Sequence, residues 1–137
     1  IRDSIPAARM KARREHVIPL PSQAVKTLRT LQGLTGHRQH LFPGRDNPKG
    51  PMTSHSLRQL LKSFGWSGIY SPHATRTTGS TRLNEMGYRP DAIEAQLAHA
   101  DTNNVRRTYN HATYLDERKV MMQEWSDMLD KWVAGSE

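Results

Sequence analysis

The sequence predicts a mainly helical α+β domain with one small antiparallel sheet. Over most of the chain, apolar residues recur at spacings of three, four and seven, the period of helices with one buried face. Glycine and proline punctuate the ends of these segments. The only clear extended pair is residues 4–8 and 16–20, separated by the basic stretch Arg9-Met10-Lys11-Ala12-Arg13-Arg14. At 137 residues and 35% hydrophobic, the chain has the size and apolar content of one domain, read as 1–137.

In order, the extended pair makes a β-hairpin with a basic tip, and Pro6 places its first strand at an edge. Residues 22–34 follow as a helix with Ala24, Val25, Leu28 and Leu31 on its apolar stripe, ended by Gly33 and Gly36. Residues 37–50 read as loop, with Leu41-Phe42-Pro43 as a possible short strand among the turn formers Gly44, Asp46, Asn47, Pro48 and Gly50. Thr53 or Ser54 can cap a helix carrying Leu57, Leu60, Leu61 and Phe64. After a connector over 65–72, residues 73–86 form a helix that stops at Gly87. Pro90 suits the first turn of another, reaching about Ala98. A short helix is expected over 103–109. Thr113 with Asp116 resembles a capping box for a last helix over 115–133, which shows Met121, Trp125, Met128 and Trp132 on one face. That stripe suits a core or a protomer contact better than a cofactor box.

Lys and Arg number 20 against 13 Asp and Glu, giving a formal net charge of +7 and a pI near 10.1. Such a surface attracts polyanions, nucleic acid above all. The basic residues are spread along the chain, however, so charge alone leaves open a basic protein with no such partner. The absence of cysteine removes disulfides and thiolate zinc sites and fits a reducing compartment. No apolar run is long enough to span a membrane, and residues 1–11 lack a signal-peptide pattern. The first residue is not Met, so the chain is expected to be a piece of a longer protein.

Four features carry chemistry, in order. Lys11 stands at the hairpin tip, eight residues before Pro19. His73-Ala74-Thr75-Arg76 is a His-x-x-Arg at a helix start. Leu97-Ala98-His99 follows, and then Tyr109-Asn110-His111, ten residues past His99. This ordered set resembles the tyrosine recombinases, or phage integrases, and most of all their satellite-phage-type subgroup. The stretch from Asn84 to Glu94, the run Gln96-Leu97-Ala98-His99, Tyr109-Asn110-His111-Ala112 and Tyr114-Leu115-Asp116-Glu117-Arg118 are similar to that subgroup almost throughout. The similarity covers essentially the whole chain. One His-x-x-Arg is common by chance; four motifs in order at family spacing are specific. The usual family form before the histidine is Leu-Gly-His, and Ala98 shares the subgroup's departure from it.

The resemblance implies site-specific DNA recombination by a prophage or genomic-island integrase. Strands would be cut and rejoined through a 3′-phosphotyrosine link, with no metal and no nucleotide cofactor. The residue types suit that chemistry. A phosphodiester repels nucleophiles, so an enzyme without a metal neutralises its charge with fixed cations and donors. The planar fork of Arg holds two phosphate oxygens at once. A phenol can attack phosphorus and store the bond energy as an ester, and a Lys can protonate the leaving oxygen.

By resemblance, Arg76 grips the non-bridging oxygens and Lys11 is the general acid for the 5′ oxygen. His73 accepts a proton or orients the phosphate, His99 donates a hydrogen bond to it, and Tyr109 is the nucleophile. Each has a plainer alternative: Lys11 as one solvated cation among several, His73 as a polar helix-start residue, His99 as a buried hydrogen-bonded histidine. Arg13, Arg14, Arg106 and Arg107 read as DNA-backbone contacts or as solvated charge. Tyr114 competes with Tyr109, but it stands beside the start of the last helix, where rings pack, and Tyr109 has the family distance from His99. A zinc site from His73, His99 and His111 matches no usual ligand spacing.

The family's remaining arginine, in a pattern such as Gly-x-Arg-x-x-Glu on a helix before the sheet, has no counterpart here and would precede Ile1. The expected fold is therefore a catalytic domain lacking its first helices, and the isolated piece is expected to cleave DNA weakly or not at all. The implied partners are double-stranded DNA attachment sites and further copies of the protein assembled on them, with no membrane and no small-molecule substrate. The implied location is the bacterial cytoplasm, at the nucleoid. Two other functions compete with this one: a DNA-binding module with a relict site, and a relaxing topoisomerase of the tyrosine type.

Overall fold

Strand β1 (Arg2–Ile5) pairs antiparallel with β2 (His16–Pro19), with Arg2 opposite Pro19 and Ile5 opposite His16. The computed structural model describes residues 2–10, 13–98 and 114–135. The first strand lies earlier than the hydrophobic pattern suggests. Pro6 has no N–H for the ladder, and its φ of −57° and ψ of 145° lead the chain into a single 3₁₀ turn over Ala7–Arg9. There Arg9 N donates to Pro6 O at 2.9 Å and Met10 N to Ala7 O at 3.1 Å.

Among the described residues the helices are α1 (Ser22–Thr35), α2 (Ser54–Ser63), α3 (Pro72–Glu85), α4 (Pro90–Gln96) and α5 (Leu115–Ala134). With the two-stranded sheet, the chain is mainly helical α+β, as the sequence predicts. It divides into two compact units, Ile1–Ser22 with Gly79–Glu137, and Gln23–Thr78. The division falls inside α3.

The first unit holds a small core. Leu83, Ile93 and Met121 are 4%, 1% and 0% exposed, with Tyr88, Leu97, Met122 and Trp125 packed around them. Burial of such side chains stabilises by ~1.5–3 kcal/mol each. Gly87 makes this packing possible. Its φ of +84° ends α3, and Tyr88 N then reaches back to Leu83 O at 3.1 Å. Pro90 opens α4 with its φ already helical and no N–H to leave unpaired.

In α5 the expected apolar stripe is buried only at its start. Met121 is fully buried, and Trp125 meets Trp132 edge to face at 5.9 Å. Trp132 is itself half open to solvent, with the Arg82 guanidinium 5.6 Å from its ring. The position before α5 is filled by Tyr114 in a left-handed conformation with no side-chain cap; Thr113, the expected capping residue, lies outside the described residues. The Asp116 carboxylate accepts from Lys119 Nζ at 2.6 Å. That bond is the first cause holding its carboxyl below the usual range.

In the second unit, Ala24, Val25, Leu28 and Leu31 of α1 are all half-buried, while Leu34 is exposed. The expected strand at 41–43 is reduced to one bridge, Pro43 with Pro51, because two prolines supply no N–H to extend it. Gly44 is required there: a Cβ would lie 2.9 Å from the Asn47 carbonyl oxygen. Of the two candidates, Thr53 caps α2, its hydroxyl oxygen accepting from Ser56 N at 3.1 Å.

Candidate active site

Two of the predicted site residues share the opening turns of α3. Ser71 precedes the helix, and its hydroxyl and carbonyl oxygens both lie within bonding distance of Ala74 N, at 3.3 and 2.9 Å. Pro72 is the first helical residue. His73 and Arg76 then fall three residues apart, on one face of the helix. His73 is exposed and Arg76 half-buried. The Tyr70 and Thr75 hydroxyls are hydrogen-bonded, tying the preceding connector to the helix. An imidazole, a guanidinium fork and the positive end of a helix dipole are thus gathered in one place. That combination suits a tetrahedral anion.

Beside them lies an open groove of about 370 Å³, walled by α2 and the connector to α3. One wall carries His55, Arg58, Gln59 and Lys62, spaced as one face of α2, and the other carries Trp66 and Tyr70. The two rings meet edge to face at 5.4 Å. The groove ends at Ser71 and Pro72, directly before His73.

In the first unit, Arg13 and Arg14 are exposed where the hairpin tip returns to β2, and Arg13 is left-handed at φ 50°. Lys11, His99, Arg106, Arg107 and Tyr109 lie outside the described residues, as does the expected helix over 103–109. The structure therefore places His73 and Arg76 on one face of α3, and in the first unit it describes a framework of β2, α4 and α5.

That framework centres on a residue that belongs to none of the four motifs. Arg118 is only 3% exposed. Its Nε donates to Gln96 Oε1 at 2.9 Å and its Nη2 to the Val17 carbonyl at 2.6 Å. His16 Nε2 sits 3.2 Å from the Gln96 carbonyl oxygen; a carbonyl only accepts, so Nε2 carries the hydrogen. Burial lowers the pKa of Arg118. Burial, then the Arg118 charge, lowers that of His16, against a partly opposing bond to Gln96. Nearby, the Arg89 guanidinium lies 4.5 Å over the Tyr114 ring and its Nε 3.7 Å from Glu117.

In the sequence, Arg118 is one charge among the four of Asp116-Glu117-Arg118-Lys119. The available signal was its phase: Arg118, Met121 and Trp125 recur at three and four, which puts the arginine on the apolar face.

Among the described residues, no helix is long and apolar enough to cross a membrane. The model of the phage integrase family matches residues 2–116. The chain is 46% identical over 132 residues to prophage integrase IntA of Escherichia coli strain K12, covering 96% of this chain and 32% of that protein. It is 42% identical over 131 residues to the integrase of Shigella phage Sf6, covering 95% and 34%. To the integrase of Enterobacteria phage P4 it is 38% identical over 125 residues, covering 88% and 28%. The chain thus spans about a third of the length of the curated relatives it matches. No solved structure matches it. With most of its length matched by the family model and nearly all of it by integrases of this identity, the chain belongs to the phage integrase family.

Proposed function

We propose that this chain forms most of the catalytic domain of a site-specific tyrosine recombinase, which cuts and rejoins double-stranded DNA at attachment sites. The observation that carries this reading is the placement of His73 and Arg76 on one face at the capped start of α3, within a family-wide match. The first family arginine and a further DNA-binding domain are assigned to the part of the protein outside these residues.

In the proposed reaction, the Tyr109 phenol oxygen attacks the scissile phosphorus. The P–O bond to the 5′ oxygen breaks, and that oxygen leaves with a proton from Lys11. The 3′ phosphate remains esterified to Tyr109. Arg76 and His99 hold the non-bridging oxygens as negative charge builds on them, and His73 takes the phenol proton or orients the phosphate. Attack by a 5′ hydroxyl of the partner strand reverses each step, so no energy source is consumed.

The groove beside α3 fits the strand that flanks the gripped phosphate, with Arg58 and Lys62 toward its backbone. Arg13, Arg14, Arg106 and Arg107 are assigned to DNA-backbone contacts. Assembly of several copies on paired sites belongs to the same proposal.

The test is covalent capture. Full-length protein is incubated with a nicked suicide substrate, and the DNA-linked peptide is sequenced. A 3′-phosphate ester on Tyr109 is expected. DNA binding without any covalent product would leave a binding module instead.

A further inference from the structure

Among the described residues, every buried one lies in the first unit. The second unit, Gln23–Thr78, is described throughout and holds none. Its helix α2 shows the consequence most plainly. Isolated helices shorter than ~12–15 residues are marginal in water and depend on burying an apolar face. Helix α2 has 10 residues. Leu57, Leu60 and Phe64 recur at spacings of three and four and form its apolar face. They stand on the opposite side of the helix from His55, Arg58, Gln59 and Lys62, which line the groove. Yet Leu60 is 47% exposed and Phe64 is 64% exposed.

We infer that, in the full-length protein, the face of Leu57, Leu60 and Phe64 is covered by an apolar segment of the same polypeptide from outside residues 1–137. Three arguments select this occupant. The chain spans about a third of the length of the relatives it matches, so most of such a protein lies outside it. The face itself is apolar, and the cations of α2 stand on the groove side, so it offers nothing to a phosphate backbone. A second copy that bound and left would strip the unit of its cover between encounters. A segment of the same polypeptide stays at high effective concentration and supplies a permanent core. The inference goes beyond the proposed reaction: it rests on family membership and not on the roles assigned to Tyr109 and its partners.

The experiment uses the full-length protein without DNA. Single variants Leu60→Cys, Phe64→Cys and Gln59→Cys are labelled with a thiol reagent, and the α2 peptide is followed by mass spectrometry. Residues 1–137 contain no cysteine of their own to compete. Melting temperatures identify the folded variants. Leu60→Cys and Phe64→Cys are expected to label at least about 100-fold more slowly than in urea. Gln59→Cys, on the groove side, should label within about tenfold of its rate in urea. Dilution by about tenfold should leave the protection unchanged. Photocrosslinking with p-benzoylphenylalanine in place of Phe64 then identifies the cover. The linked peptide is expected to come from the same polypeptide, outside residues 1–137. If one cysteine variant does not fold, the other decides; if neither folds, the photocrosslink, which keeps an aromatic ring at the site, decides.

Labelling of Leu60→Cys and Phe64→Cys as fast as in urea overturns the inference. Protection that is lost on dilution, or that arises only when DNA is added, overturns it too. So does a photocrosslink that falls on another copy, within residues 1–137 or nowhere. Capture of the Tyr109 adduct is read separately, and its absence would bear on the catalytic assignment alone.

Discussion

Arg118 Nη2 donates to the Val17 carbonyl oxygen across 2.6 Å, joining the first turn of α5 to strand β2. The same guanidinium helps to keep the neighbouring His16 neutral, after burial, the larger cause. The folded protein therefore takes up the His16 proton at a lower pH than the unfolded chain, whose imidazole titrates near 6.5. Between those two values the unfolded state binds more protons, so stability falls as pH drops below about 6.5 and levels off once the folded-state pKa is passed. Melting temperatures of wild type and His16→Gln, measured from pH 7.5 down to about 5, are expected to diverge. The wild type should lose more stability on acidification; parallel curves would count against this account.

Tyr88 donates its hydroxyl to Glu124 Oε2 at 2.6 Å. Burial first, then that carboxylate, pushes its phenol up to about 12 from the usual 10.0. Over that window the unfolded chain loses the proton before the folded one, so this contribution to stability declines as pH rises from 10 toward 12. In a phenolate absorbance titration, one tyrosine should ionise late, and Tyr88→Phe should remove that phase. The substitution should also cost about 1 kcal/mol at neutral pH by chemical denaturation.

Two substitutions in the first unit are expected to act in opposite directions. Ile93→Ala empties a site that is 1% exposed in a small core and should destabilise by ~2–5 kcal/mol. Gly79→Ala adds a methyl group 3.9 Å from Trp125 Cζ2, an ordinary contact, at a helical position where glycine is entropically unfavourable. It should stabilise by ~0.5–1 kcal/mol. Urea melts of both variants check the signs.

The α2 wall of the groove makes a claim about DNA. Replacing Arg58 and Lys62 together with Ala should weaken binding similarly on specific and unrelated duplexes. It should also flatten the slope of log affinity against log salt by about 0.9 for each phosphate that is no longer neutralised. An unchanged slope in a filter-binding or anisotropy series would remove this groove from the DNA path.

Much of the fold was legible because its punctuation is chemical. Gly87 and Pro90 mark where α3 stops and α4 starts, and the spacing of Met121 and Trp125 identifies the inward side of α5. The misses have local causes. Pro6 moved β1 toward the N-terminus, and the apolar stripe of α5 is buried only at its start, leaving Trp132 half open to solvent. The His73–Arg76 pair was readable as a helix start. Arg118 was not, because a charged residue among charged residues gives no hint that one of them is buried; only its helical phase does. The choice of Tyr109 over Tyr114 as nucleophile rests on its spacing from His99.

That choice is put directly by trapping the covalent intermediate with full-length protein carrying Tyr109→Phe or Tyr114→Phe. The account predicts that Tyr109→Phe binds DNA within about twofold of wild type and yields no adduct, while Tyr114→Phe still forms one. Adduct formation that survives Tyr109→Phe, or that vanishes in folded Tyr114→Phe alone, would contradict it.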